Sequence, residues 1–222
     1  MLKKTLKLGW YHLLQSCCRL FCVVTFKMSV KGLDNLPHSG PFILAGNHQS
    51  FLDPVFCGIY LRRSLNYLAR DTLFKNRLFG WLLTSINVIP LKRDRSDIPA
   101  IKKVIGKLKQ GEALCLYPEA TRTDDGRIKQ LKPGFGLLCR RVKVPLVPVL
   151  VEGAFECWPR NKKLFTAGKK IVVWYGRPIK PEQIEKMSNQ QLAETLTLTL
   201  RKMQDKCRLK LGKKPHQYDT QL

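Results

Sequence analysis

Acidic side chains are scarce in this chain: 16 Asp and Glu stand against 40 Lys and Arg among 222 residues, a formal net charge of +24. The basic residues spread from Lys3 to Lys214 rather than gathering in a tail, which calls for an anionic partner: nucleic acid, an anionic membrane surface or phosphorylated substrates. Histidine is scarcer, at four. None of His12, His38, His48 and His216 has a second ligand at zinc spacing, so no metal is expected. The eight cysteines include no C-x-x-C pair, no secretory signal accompanies them, and several lie in apolar runs where a reduced thiol acts as a small hydrophobe. A reducing cytosol is the compartment they suggest.

Other absences narrow the chemistry. There is no G-x-S-x-G elbow and no H-E-x-x-H, which disfavours serine hydrolases and zinc proteases. Gly106 to Gly111 begins like a phosphate-binding loop, but Glu112-Ala113 follows where Lys and Ser or Thr are required, and Gly134-Phe135-Gly136 lacks a third glycine. Without an RNP-like, zinc-finger or helix-turn-helix signature, nucleic-acid binding is an alternative supported by charge alone, and no nucleic acid is expected as partner.

Uninterrupted apolar runs of about 20 residues, the length a spanning helix needs, are also missing. Leu6 to Phe26 comes nearest, but Arg19 interrupts it, His12, Gln15 and Ser16 dilute it, and no small-residue cleavage pattern follows. The expected structure is a helix in the membrane interface, Trp10 and Tyr11 at headgroup level, with Lys3, Lys4 and Lys7 toward anionic lipid. A helix packed on the core is the competing reading. The expected division is 1–28, an amphipathic membrane-associated segment, and 29–222, one domain that folds without it. A hydrophobic content of 44% supports one sizeable core and no second full domain.

From Pro41 onward strand-like and helical stretches alternate, the mark of an α/β domain with a mostly parallel sheet. Strands are predicted at Pro41–Gly46, Asn66–Ala69, Ile86–Pro90, Ala113–Tyr117, Leu146–Val151 and Ile171–Tyr175. Helices are predicted from Asp53 to Leu61, over Leu78–Ser85, over Ile98–Leu108 behind Asp97, near Phe135–Val142, and over Asn189–Leu211. In that last helix the run Arg201, Lys202, Lys206, Arg208, Lys210 reads as a solvated face.

Asn47-His48-Gln49-Ser50-Phe51-Leu52-Asp53 places an imidazole and a carboxylate five positions apart where an apolar strand breaks into a loop. In open α/β sheets that strand end is where ligands bind. Asp53, directly before Pro54, also suits a helix cap, and His48 alone suits a hydrogen-bonded loop histidine. Taken together they are the material of a general base and its orienting acid.

Three further blocks follow in order: Ile89-Pro90-Leu91-Lys92-Arg93, Tyr117-Pro118-Glu119-Ala120-Thr121-Arg122, and Val144-Pro145-Leu146-Val147-Pro148-Val149. With the His48 block they resemble the PlsC-type glycerolipid acyltransferases, in which N-H-x-x-x-x-D, I-P-I-D-R-like, F-P-E-G-T-R-S-like and V-P-I-V-P-V-like blocks occur in this order. The resemblance covers about half of the chain, Pro41 to Val151. Lys92 stands where the family often has Asp, and Ala120 where it usually has Gly, so a left-handed backbone at Ala120 would be strained.

The resemblance implies a glycerol-3-phosphate acyltransferase-like fold: a single α/β domain whose mixed, mostly parallel sheet is flanked by helices. It also implies an enzyme that moves a fatty acyl group from a thioester to 1-acylglycerol 3-phosphate, forming phosphatidic acid in phospholipid synthesis. Glycerol 3-phosphate or another lysolipid is the alternative acceptor. By this analogy His48 and Asp53 are catalytic, and Arg93, Glu119, Thr121, Arg122, Lys132 and Gly134 bind substrate. Acyl-CoA or acyl carrier protein serves as co-substrate, with no cofactor. The expected location is the cytoplasmic face of the cell membrane, peripheral or monotopic, against an anionic lipid surface.

Overall fold

The computed structural model describes residues 2–92 and 97–218. Its strands are β1 (Lys27–Lys31), β2 (Ile43–Gly46), β3 (Leu65–Arg70), β4 (Val88–Leu91), β5 (Ala113–Leu116), β6 (Leu146–Glu152) and β7 (Lys170–Tyr175). Its helices are α1 (Leu2–Thr25), α2 (Asp53–Gly58), α3 (Arg77–Ser85), α4 (Ile98–Lys109), α5 (Gly134–Val142), α6 (Ala154–Cys157), α7 (Pro181–Glu185) and α8 (Asn189–Lys210). The strands form one sheet in the order β1-β7-β6-β2-β5-β3-β4. Strands β6, β2, β5, β3 and β4 are mutually parallel, β7 runs antiparallel to β6, and β1 parallel to β7.

Central strands are buried on both faces, which is why β2 and β6 read as continuous apolar runs instead of alternating ones. Successive side chains still divide between two cores. In β5, Leu114 and Leu116 join the layer built with α4, α5 and α8, while Ala113 and Cys115 join the layer built with α1 and α2. The neighbours β2 and β5 thus lead to helices on opposite faces. Their outgoing loops set off toward opposite faces, the arrangement that in open α/β sheets makes a ligand crevice at the C-terminal ends of the strands. The outer strands are short: β1 carries Lys27 and Lys31, and β4 carries an exposed Pro90.

Helix boundaries follow local chemistry. Asp97 caps α4 by accepting a hydrogen bond from the Ala100 amide at 3.1 Å, as its position before Ile98-Pro99 suggests. Helix α2 ends at Gly58, three residues short of the expected Leu61. A Cβ at Gly58 would stand 2.3 Å from the Tyr67 hydroxyl, so only glycine admits this approach.

Helix α1 docks on the sheet layer. Cys22 and Phe26 are buried, and the Phe26 ring meets Phe56 edge-on at 5.7 Å. Tyr11, expected at headgroup level, is 6% exposed, and its hydroxyl accepts from the Leu65 amide at 3.2 Å. Trp10 donates to Ser85 Oγ at 3.0 Å, and Gln15 donates to the carbonyls of Gly58 and Leu61 at 2.7 and 2.8 Å, satisfying the open end of α2. Of the polar residues that dilute the apolar run, Gln15 thus faces the protein and His12 hydrogen-bonds to Gln15 at 2.9 Å, while Ser16 is exposed. Leu6, Leu13, Leu20, Phe21, Val23 and Val24 are left exposed. The expected division between residues 28 and 29 falls inside β1, whose whole length pairs with β7. Among the described residues no helix is long and apolar enough to cross a membrane.

The basic run on α8 is not simply solvated. Arg208 pairs with buried Glu152 at 2.8 Å, and Arg201 donates to the Ile128 carbonyl while lying over the Tyr218 ring at 4.1 Å. Burying Glu152 without Arg208 would cost several kcal/mol, so this pair is conditional on both members.

Because α1 fills part of the core, removing residues 1–26 would uncover Phe56 and its neighbours. The truncated chain is expected to be insoluble or to lose its cooperative thermal transition, and Phe26→Ala alone to cost about 3 kcal/mol. A truncated protein melting cooperatively near the full-length Tm would show instead that the helix is dispensable to the fold.

Candidate active site

Asp53 begins α2 but does not cap it. The side chain is fully buried and turns back over the preceding loop, where Oδ2 accepts from His48 Nδ1 at 2.7 Å, the Gln49 amide at 2.6 Å and the Ser50 amide at 2.7 Å. Ser50 closes the same loop, its hydroxyl accepting from the Leu52 amide at 3.2 Å, as befits a turn residue. Three charge-assisted donors on one oxygen fix the path from strand β2 to helix α2.

His48 is held at ring and backbone alike. Its amide donates to Glu119 Oε1 at 2.7 Å, and its carbonyl accepts from the Thr123 amide at 2.8 Å. The ring stacks on Tyr117, centroids 4.3 Å apart and planes 19° from parallel. With Nδ1 engaged by Asp53 and the side chain 17% exposed, Nε2 is the nitrogen left to take a proton from an incoming group. Neighbouring Asn47 locks β2 to β6: its side-chain Nδ2 donates to the Val151 carbonyl at 2.9 Å and its Oδ1 accepts from the Val151 amide at 2.8 Å.

Glu119 lies buried between two loops. Oε1 serves the His48 amide and Oε2 the Lys129 amide, at 2.7 and 3.1 Å. Burial pushes its carboxyl up to about 7, against the opposing pull of those two amides. Both oxygens therefore bind backbone. Ala120, next along, adopts φ +60°, the left-handed conformation whose strain its methyl group brings.

The other residues singled out in the sequence spread around this centre. The Arg122 guanidinium lies 3.4 Å from the Phe51 ring centroid, over the loop that carries His48. Thr121 is half-buried beside it. Lys132 donates its amide to the Pro118 carbonyl at 3.0 Å and exposes its side chain. Gly134 starts α5, and a Cβ there would meet nothing within 4 Å, so close packing does not demand glycine at that position. Arg93 lies outside the described residues.

Tyr117, Phe51, Asn47 and Gln49 also build this site, although the motif pattern alone does not single them out. Gln49 donates to the Gly126 carbonyl at 2.9 Å, and Gln204 donates to that carbonyl at 3.0 Å and to Glu152 at 2.8 Å, so a buried network backs the loop. A signal existed: two amide side chains flank His48 in a segment that leaves an apolar strand. Among the described residues no group of three or more His, Cys, Asp or Glu is placed to hold a metal ion.

The chain is similar to several known proteins. A family model described as Acyltransferase matches residues 27–152. A chloroplastic 1-acyl-sn-glycerol-3-phosphate acyltransferase of Arabidopsis thaliana is 29% identical over 179 residues, covering 78% of this chain and 50% of its own length. The 1-acyl-sn-glycerol-3-phosphate acyltransferase of Bacillus subtilis is 29% identical over 175 residues, with 78% of this chain and 84% of its own covered. The crystal structure of the acyltransferase PlsC from Thermotoga maritima superposes with a TM-score of 0.70 at 25% identity, covering 80% of this chain and 70% of that one. The chain spans about half the length of the chloroplastic relatives it matches.

Glu119 ties this site to pH. Its carboxyl sits at about 7 when folded and at the ordinary 4.5 when unfolded, so the native state holds the extra proton between those limits. The stability this contributes, about 3 kcal/mol at full effect, is present at low pH and lost as pH rises through that window. Glu119→Gln is expected to flatten this part of the profile in denaturant melts compared at about pH 5 and about pH 8. An unchanged slope would show that Glu119 titrates as an ordinary carboxylate.

Proposed function

The chain belongs to the acyltransferase family, and from that membership we propose that it transfers a fatty acyl group from an acyl thioester to the free hydroxyl of 1-acylglycerol 3-phosphate, giving phosphatidic acid. The single observation behind the chemistry is the 2.7 Å hydrogen bond between His48 Nδ1 and Asp53 Oδ2 at the mouth of the β2/β5 crevice.

A thioester is already activated, so the difficulty lies with the alcohol, which is almost wholly protonated at neutral pH. His48 Nε2 takes the hydroxyl proton as the oxygen attacks the thioester carbonyl. Asp53 holds the ring in the tautomer with its proton on Nδ1 and stabilises the imidazolium that forms. The tetrahedral adduct then expels the thiolate, which regains a proton from His48. No covalent enzyme intermediate is required. Acyl-CoA and acyl carrier protein present the same thioester, and either donor satisfies this chemistry.

Arg122, and by its place in the sequence Arg93, grip the acceptor's phosphate through their planar guanidinium forks. Thr121, Lys132 and Gly134 line the same approach. Glu119, with both oxygens on backbone amides, serves the acceptor indirectly by holding the His48 loop. The exposed apolar side of α1, backed by the net charge of +24, rests the protein on the cytoplasmic face of an anionic membrane without crossing it.

Incubation with labelled acyl thioester and a panel of lysolipids tests the acceptor, with lysophosphatidate expected to lead. His48→Ala is expected to lower kcat by at least about 10²-fold while the variant still melts cooperatively, at a lower Tm because buried Asp53 loses its imidazole partner. Near-normal turnover in a folded variant would remove His48 from the reaction. Arg122→Ala is expected to raise the acceptor KM strongly and the donor KM little, with Lys restoring only part of the loss, since an ammonium lacks the bidentate fork. Equal rises for both substrates would mark Arg122 as structural.

A further inference from the structure

Aromatic rings form a row from the crevice to helix α1. Phe51, beneath the Arg122 guanidinium, lies 5.1 Å from Trp158; Trp158 lies 6.0 Å from Phe165; and Phe165 lies 5.6 Å from Phe21 on α1. Much of this row faces water, with Phe51 47%, Phe165 38% and Phe21 43% exposed. Single exposed rings are ordinary on protein surfaces, but a contiguous row that starts at a reactive loop is not.

The segment carrying Trp158 and Phe165 is pinned at several points. Trp158 Nε1 donates to the Lys162 carbonyl at 3.0 Å, the Thr166 amide to the Cys157 carbonyl at 2.8 Å, and the Gly168 amide to the Thr25 carbonyl at 2.8 Å. Phe165 also packs on buried Phe26 at 5.9 Å. The rings are therefore held in place before any ligand arrives. At the far end Phe21 belongs to α1, which also exposes Leu20, Val23 and Val24.

We propose that this row seats the acyl chain of the lysolipid acceptor, with the phosphate at Arg122, the free hydroxyl at His48 and the chain running over Phe51, Trp158 and Phe165 toward α1. The proposal rests on the lysophosphatidate reading above and adds the path of the chain. Charge and connectivity choose the acceptor over the donor. A lysolipid carries phosphate and chain on one glycerol, so its chain departs beside the phosphate grip. A thioester's chain departs from the reacting carbonyl at His48. The row's outer end also meets the apolar face read as lying on lipid, so an acceptor in a membrane reaches the crevice without its chain passing through water.

The test uses the full-length protein and a series of lysophosphatidates with acyl chains of about 6, 8 and 10 carbons, each below its critical micelle concentration and without vesicles, so that membrane adsorption plays no part. The unaltered protein is expected to show an acceptor KM that falls by up to about fourfold for each added methylene, the ceiling set by complete burial. Trp158→Ala and Phe165→Ala are expected to flatten that dependence, whereas Leu198→Ala, exposed on α8 in the opposite layer, keeps it. An acceptor brominated on its chain is expected to quench tryptophan fluorescence, and Trp158→Phe to abolish most of that quenching without unfolding. Unchanged chain-length dependence in both ring-deleted variants, with turnover intact, would overturn the chain path while leaving the acceptor assignment standing. Failure of the unaltered protein to acylate any lysophosphatidate would overturn both.

Discussion

A single buried oxygen organises the reactive end of this protein. Asp53 Oδ2 gathers an imidazole N–H and two backbone amides within 2.7 Å. Burying a carboxylate is costly unless hydrogen bonds replace its water, and here the replacement comes from the loop that must be shaped. Pro54, next in the chain, has no N–H to compete for it. The ring orientation of His48 and the course of the loop are thus set by one interaction, and neither can relax without disturbing the other.

A second carboxylate does complementary work from the other side of the crevice. Glu119 follows β5, whose onward helix lies on the sheet face opposite α2, and it takes the backbone amide of His48 where Asp53 takes the ring. The two loops that part at the crevice are thereby tied across it. Tyr117, stacked on the imidazole, closes the remaining degree of freedom by resisting ring rotation. The reactive nitrogen is positioned before any substrate arrives, the condition under which general-base catalysis is effective.

The parts visible in the sequence are those whose partners are near in the chain or whose pattern has one meaning. His48 and Asp53 are five residues apart, and the buried strands announce themselves as apolar runs. Glu119 and His48 are 71 positions apart, so the carboxylate's attachment to backbone could not be read, and a substrate contact was the natural expectation. Helix α1 shows the limit of amphipathic pattern: the same periodicity serves a lipid surface or a protein core, and this helix divides its faces between Tyr11 and Cys22 inward and Leu20, Val23 and Val24 outward. Strand β1, Lys-Met-Ser-Val-Lys, lacks the apolar run of a central strand because it lies at the sheet edge. Arg208 reads as solvated only until its partner Glu152, 56 positions away, is known. The left-handed turn at Ala120 was foreseeable as a strain because the substitution for glycine stands at a recognisable place in its block.

The outermost strands have one more implication. An open sheet ends in unpaired backbone donors and acceptors that invite a strand from another molecule. Here one edge bears Lys27 and Lys31 and the other a proline that has no amide hydrogen to offer. Strand addition is thereby discouraged at both borders, and self-association through hydrogen-bonded ribbons meets charge on one side and a missing donor on the other. A protein that leaves so much greasy surface on a single helix needs such protection, because crowding many copies together would otherwise turn a shared preference for lipid into amyloid-like stacking.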